Sequence, residues 1–172
     1  MMILKGEKAA LATQVFRLLA VAALIVTAGC AYSFTGSLPD NLKTVRIRQF
    51  RSSVTEYGLE QEITDLVASA IVRDGRLDIN NDNPDANIEG SVSYFSRTAA
   101  TYTGSEEVEQ YRLEIRVTVS MDRNSGNEYI IRDESVSEWI LYDPSAETFK
   151  SARDRLVEDV SEEIVRRCLS GW

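Results

Sequence analysis

The chain has 172 residues, 27 of them acidic and 19 basic, for a formal net charge of −8, and it contains no histidine. That balance argues against a nucleic-acid-binding surface. The missing imidazole excludes Ser–His–Asp and Cys–His nucleophile systems, histidine acid–base chemistry and histidine metal ligands.

Lys5, Lys8 and Arg17 make a positive leading segment, and 18–26 is an uninterrupted apolar run. Such a run reaches roughly 13 Å as a helix, under half of the ~30 Å hydrocarbon core. A signal peptide fits better than a membrane span. Val26-Thr27-Ala28-Gly29-Cys30 resembles a bacterial lipoprotein box, with Thr27 where leucine is usual. The alternative is an ordinary signal peptide that happens to contain a cysteine. On the lipoprotein reading, residues 1–29 are removed, Cys30 carries the lipid, and 30–42 is a turn-rich tether containing Gly36, Pro39 and Asn41. A buried methylene contributes ~0.8 kcal/mol and one acyl chain anchors only marginally, so the two or three chains of a lipidated cysteine hold durably. Ala31, rather than aspartate, follows the cysteine. By resemblance to known sorting signals this points to the outer membrane, on its periplasmic face. Removing 1–29 takes away three basic residues and only Glu7, so the remainder is more acidic still. Any contact with an anionic glycolipid must then be local.

Residues 43–172 read as one domain. Lys43 to Phe50 alternates, with Val45 and Ile47 on one side and Arg46 and Arg48 on the other, as a half-buried strand does. Leu59, Ile63, Leu66, Val67, Ala70 and Ile71 form one stripe of a helix that Gly75 is placed to cap with positive φ. Arg76 to Asn80 reads as a short strand with Leu77 and Ile79 inward. The run Asn80-Asn81-Asp82-Asn83-Pro84-Asp85 is a turn, with only a faint likeness to a calcium loop. Ala86 to Arg97 is a strand with Ile88, Gly90, Val92 and Tyr94 on one face, and Thr98 to Glu107 a long hairpin loop. Tyr111 to Met121 alternates without a break: Leu113, Ile115, Val117 and Val119 lie on one face, and Arg112, Glu114, Arg116, Thr118 and Ser120 on the other. The turn Asn124-Ser125-Gly126-Asn127 leads into Glu128 to Trp139, whose broken phase asks for a bulge near Asp133. Ser145 is placed to cap a last helix in which Phe149, Ala152, Leu156, Val160, Ile164 and Cys168 share a stripe. Cys168 therefore reads as a small core residue, with a reactive thiol as the alternative.

The expected fold is α+β: a mainly antiparallel sheet of four or five strands with two helices on one face, in the order β-α-β-β-β-β-α. The other face is charged. If their strands were neighbours, Arg46, Arg48, Arg112 and Arg116 could converge on phosphate or carboxylate groups; the alternative is pairing with Glu114 or plain solvation. No phosphate loop, zinc spacing or EF-hand is present, and no carboxylate pair is singled out.

Several stretches in order resemble the lipopolysaccharide-assembly lipoproteins, the LptE family. They are Gly29-Cys30-Ala31-Tyr32-Ser33-Phe34 with Gly36-Ser37-Leu38-Pro39, Lys43 to Ile47 and Phe50, and Thr55 to Glu60. Thr64-Asp65, Arg73 to Leu77, Ala86 to Gly90, Tyr111-Arg112-Leu113 and the closing Gly171-Trp172 complete the set. The resemblance implies a role without catalysis or cofactor. The protein would be a plug or scaffold inside a large outer-membrane β-barrel that delivers lipopolysaccharide to the surface. It also implies two helices on a mainly antiparallel sheet, and basic residues near a sheet loop in contact with lipopolysaccharide. Arg46, Arg48, Arg97, Arg112 and Arg116 are candidates for such contacts, or for partner contacts, by charge and placement. The 98–107 loop is a candidate for entering the barrel lumen, although Glu106 and Glu107 oppose its gripping an anionic glycolipid alone. A second function class stays open: an independent, periplasm-facing lipoprotein that binds a small ligand or another envelope protein.

Overall fold

The computed structural model describes residues 41–170 apart from 103, 105, 106 and 125–127. The expected signal peptide, Cys30, most of the expected tether, Glu106, the centre of the 124–127 turn and the closing Gly171-Trp172 lie outside the described residues. The elements are β1 (Thr44–Ile47), β2 (Arg51–Ser52), α1 (Leu59–Asp74), β3 (Asp78–Ile79), β4 (Ala86–Tyr102), β5 (Val108–Arg123), β6 (Tyr129–Tyr142) and α2 (Phe149–Ser170). The sheet order is β3-β1-β4-β5-β6, with β2 also beside β4.

The α+β class and the two helices agree with the sequence reading. The sheet differs in two respects: among the described residues it has six strands, and it is mixed. β1 pairs parallel with β3 and β4, and β2 parallel with β4, while β4-β5-β6 is an antiparallel meander. The parallel half follows from α1, because a helical crossover returns the chain to run beside β1 in the same direction. β1 and β2 are one interrupted strand: Ile47 pairs with Ile88 and Arg51 with Ser91, so the first chain has one residue more between those points. A two-residue strand has no period to read, which hides it in the sequence.

Both helical stripes bury as expected. Leu59, Ile63, Val67, Ala70 and Ile71 of α1 meet Ala152, Leu156, Val160, Ile164 and Cys168 of α2 in one core with Val45, Ile88, Val92, Leu113, Ile115, Val117 and Val119 of the sheet. Gly75 caps α1 at φ 76°, its N–H donating to the Ile71 carbonyl at 3.1 Å. The start of α2 is a correction. Thr148, not Ser145, is the cap: its hydroxyl accepts from the Ser151 N–H at 3.2 Å. Ser145 instead belongs to a turn, donating its N–H to Asp143 at 2.7 Å.

Three strand details also differ. Ile79 is 37% exposed while Leu77 is buried, because β3 lies at the sheet edge. β4 continues through Thr98–Tyr102, where Tyr102 still pairs with Val108, so the loop is much shorter than expected. Ser93 is an extra residue between Val92, which faces Val117, and Tyr94, which faces Arg116. This bulge turns Tyr94 away from the face of Ile88 and Val92. The bulge expected at Asp133 is present: Val119 pairs with Glu134 but Met121 with Ile131, and Asp133 sits at φ 50° with its N–H donating to Ser120 Oγ at 2.9 Å.

The Asn80–Asp85 turn is structural. Asn80 Oδ1 accepts from the Asp82 and Asn83 amides at 2.9 and 3.2 Å. One Asp85 carboxylate oxygen accepts from the Lys43 N–H, the Thr44 N–H and the Thr44 hydroxyl at 3.0, 2.8 and 2.9 Å. These bonds, the Lys43 amide first, hold the Asp85 carboxyl below the usual carboxylate range. A carboxyl lowered by folding adds stability that is present above its unfolded pKa of ~3.9 and is lost as pH falls through its folded value. Asp85→Ala, which removes all three bonds, is expected to cost about 0.5–2 kcal/mol at neutral pH, as lost amide-capping carboxylates do. Part of that difference should vanish under strong acid in urea titrations.

Cys168 is fully buried and burial pushes its thiol up to about 12, in line with the core reading. A thiol reagent at mildly alkaline pH is expected to leave the native protein unlabelled at Cys168 and to react once the chain is unfolded in guanidinium. Rapid native labelling would contradict it.

Candidate functional site

With the helices on one side, the exposed functional groups collect on the open face of the sheet. Alternation along β5 sets Arg112, Glu114 and Arg116 outward in a row, since Leu113, Ile115 and Val117 are all fully buried on the other side. Glu114 stands between the two arginines, 3.3 Å from Arg112 and 3.4 Å from Arg116. The neighbouring strands supply aromatic partners. Trp139 pairs across from Glu114 and its ring lies 4.3 Å from the Arg112 guanidinium carbon; Tyr94 pairs across from Arg116 at 5.2 Å. Trp139 is 51% exposed, and Leu141 beside it 42%. The result is a line of alternating rings and guanidinium groups across three strands, closed at the centre by one carboxylate.

Exposed ion pairs and cation–π contacts are each worth only about 0.5–1 kcal/mol here. The row therefore adds little to folding, but it stiffens long side chains in place. Exposed, pre-ordered Trp, Tyr and Arg together are the composition that protein interfaces favour at their centres.

The remaining candidates divide. Arg46 and Arg48 share the open face but not the row, because β4 lies between β1 and β5. Arg46 donates to the Asn81 carbonyl, and Arg48 pairs with Glu89 at 3.2 Å. The expected convergence of the four arginines does not occur. Near Arg48 a shallow polar depression of about 190 Å³ lies among Arg51, Glu89, Thr118, Ser120 and Asp133. Arg97 is on the opposite, helix-packed face, paired across from the buried Leu113. The Ser93 bulge is the reason: without the extra residue Arg97 would sit with Arg112 and Arg116. Its guanidinium instead lies over the rings of Tyr111, Phe149 and Tyr142 at 3.9, 5.3 and 5.4 Å. Tyr111 and Tyr142 stack at 5.7 Å, and burial pushes the Tyr142 phenol above its ordinary range.

Trp139, Leu141 and Tyr94 are the site residues that sequence reasoning missed. For the first two the signal was present: once β6 is re-phased at the Asp133 bulge, they fall on the face of Ser135 and Ser137, where apolar side chains have no core to join. For Tyr94 there was none, since nothing in Val92-Ser93-Tyr94 marks a bulge.

Among the described residues no group of three Cys, Asp or Glu is arranged to hold a metal ion, and no helix is long and apolar enough to cross a membrane.

The lipopolysaccharide-assembly family model, LptE, matches residues 42–170, the whole helix-backed sheet. Among curated proteins a sequence search finds no match. Solved structures of similar fold include an uncharacterized lipoprotein B from Nitrosomonas europaea, with a TM-score of 0.59 at 14% identity over 80% of this chain and 87% of that one. A protein from Xanthomonas campestris gives 0.54 at 12% over 78% and 91%, and a minor lipoprotein from Acinetobacter baumannii 0.52 at 12% over 75% and 94%. At such identities the likeness is one of fold.

Proposed function

This chain belongs to the LptE family of lipopolysaccharide-assembly proteins, and from that membership we propose that it is the lipid-anchored plug or scaffold subunit of an outer-membrane β-barrel translocon. In this reading the chain is exported, cut before Cys30 and held by lipid at the periplasmic face of the outer membrane. There it fits against the barrel that delivers lipopolysaccharide to the cell surface. The work is done by shape and contact. No step of bond making is assigned to it, in keeping with a family that is not enzymatic.

The observation that carries the reading is the family match over the full sheet-and-helix unit. The open face adds physical support. A row built as Tyr94–Arg116–Glu114–Arg112–Trp139 offers planar, hydrogen-bonding and apolar surface at once, suited to a polypeptide wall. Arg112 and Arg116 are accordingly assigned to partner contact. In this reading Arg97, exposed on the helix side, and Arg46 and Arg48 on β1 would meet lipopolysaccharide phosphates locally, against an overall negative charge.

The test is co-purification of the tagged, lipidated protein from detergent-solubilised outer membranes. A large barrel in stoichiometric amount is expected. Recovery without one, with lipopolysaccharide still reaching the surface after depletion, would overturn the reading. Arg112→Ala combined with Trp139→Ala is expected to lower barrel recovery at least about tenfold, as paired interface anchors do, while shifting domain stability by only about 1–2 kcal/mol, the sum of the lost ion pair and cation–π contact. Equal recovery would remove the open face from the interface.

A further inference from the structure

β6 is the last strand of the sheet order and pairs with β5 on one side only. At 14 residues it is long for an edge. Among the described residues, no backbone bond outside the β5 ladder reaches residues 129–142. Among the described residues its outer row of N–H and C=O groups is therefore open, and the chemistry complementary to such a row is another extended chain. The customary protections are few. The Asp133 bulge disturbs the edge near Arg132, but from Glu134 to Tyr142 there is no proline and no lysine. Glu134 is held by Arg167 at 3.0 Å. That leaves Glu138, which has no ion pair among the described residues, as the free charge of the stretch, with exposed Trp139 and Leu141 following it.

We propose that the outer edge of β6, from Ser135 to Tyr142, accepts a strand from a partner protein. That strand would be an extended segment with a basic residue facing Glu138 and apolar residues beside Trp139 and Leu141. A second copy is the poorer occupant. Each copy carries a formal charge of −8. Two-fold pairing centred on Val136 opposes Glu134 to Glu138 twice, and pairing centred on Glu138 opposes that residue to itself. The pairing needs only an extended segment, not a barrel, so it stands or falls separately from the translocon reading.

The experiment uses the full-length lipidated protein in detergent with a synthetic peptide of about eight residues, alternating valine and threonine around a central lysine. Backbone hydrogen exchange is followed by mass spectrometry. The peptide is expected to slow exchange across 135–142 at least about tenfold while leaving β4 unchanged. The same peptide with alternate amides N-methylated, which keeps its side chains and loses donors, is expected to do nothing. No slowing at millimolar peptide, slowing that survives N-methylation, or slowing centred on another element would each overturn the proposal. So would protection, in the free protein, of the amides in 135–142 that face away from β5. Concentration dependence of that protection would assign the edge to a second copy, and its loss on deleting residues 31–40 would assign it to the chain's own tether.

Discussion

Gly90→Ala is expected to destabilise the domain by about 2–3 kcal/mol, the cost of forcing a methyl into a filled core. A Cβ built on Gly90 would lie 2.4 Å from Cε1 and 2.7 Å from Cδ1 of Phe50, and 2.9 Å from the Thr118 carbonyl oxygen. The ring cannot step aside, since Phe50 is 2% exposed and its own N–H is tied to Thr64 Oγ1 at 3.0 Å. Glycine is required here for space, not for backbone freedom: it is the floor on which the Phe50 ring rests where β1 breaks and β2 resumes. Phe50→Ala alone is expected to cost about 3–5 kcal/mol. The double variant should lose clearly less than the sum, because removing the ring opens the space that the new methyl needs. The Thr118 carbonyl still crowds that methyl, so the relief stays partial. Urea denaturation of the four proteins reads this directly. Strict additivity would mean that the ring and the Gly90 backbone are not in contact.

Cys30→Ser is expected to abolish membrane anchoring while leaving the melting of the helix-backed sheet unchanged. The proposed anchor rests on this one thiol. Without it the chain retains no acyl group, whereas two or three acyl chains hold a protein far beyond the marginal grip of one. Metabolic labelling with a radioactive fatty acid should mark the wild-type chain and not the variant, and fractionation should move the variant out of the membrane pellet. A variant that still takes up label would remove Cys30 as the lipid site and with it the proposed cut before that residue.

The parts of the fold that were legible in sequence are those where a period repeats for many residues. The stripes of α1 and α2 and the alternation of Leu113 to Val119 are long, and their positions bury as the pattern requires except Leu66 and Phe149, which are half-buried at the margin of the core. What escaped is local and short. Arg51–Ser52 is too brief to show a period. The parallel pairing of β1 depends on where α1 returns the chain, which is a property of packing. The Ser93 bulge decided the site. One extra residue in β4 moved Tyr94 onto the arginine row and Arg97 off it, although Ser93 itself looks like any other exposed strand serine. The Asp133 bulge was legible only because apolar residues on both sides of it kept their phase. The candidate row was thus half readable: Arg112, Glu114 and Arg116 came from one uninterrupted strand, while their aromatic neighbours came from strands whose phase had to be seen.

The Asp85 clasp also bears on how the domain meets mechanical load. In the proposed lipid-anchored state any tug would pass through Leu42 and Lys43 into β1, which is flanked by β3 on one side and β4 on the other. Tension along that strand strains its ladders in shear, all rungs together, instead of peeling them one by one. The carboxylate of Asp85 grips the first two amides of the loaded segment. The first rungs of β1 are thereby reinforced against fraying under such a load.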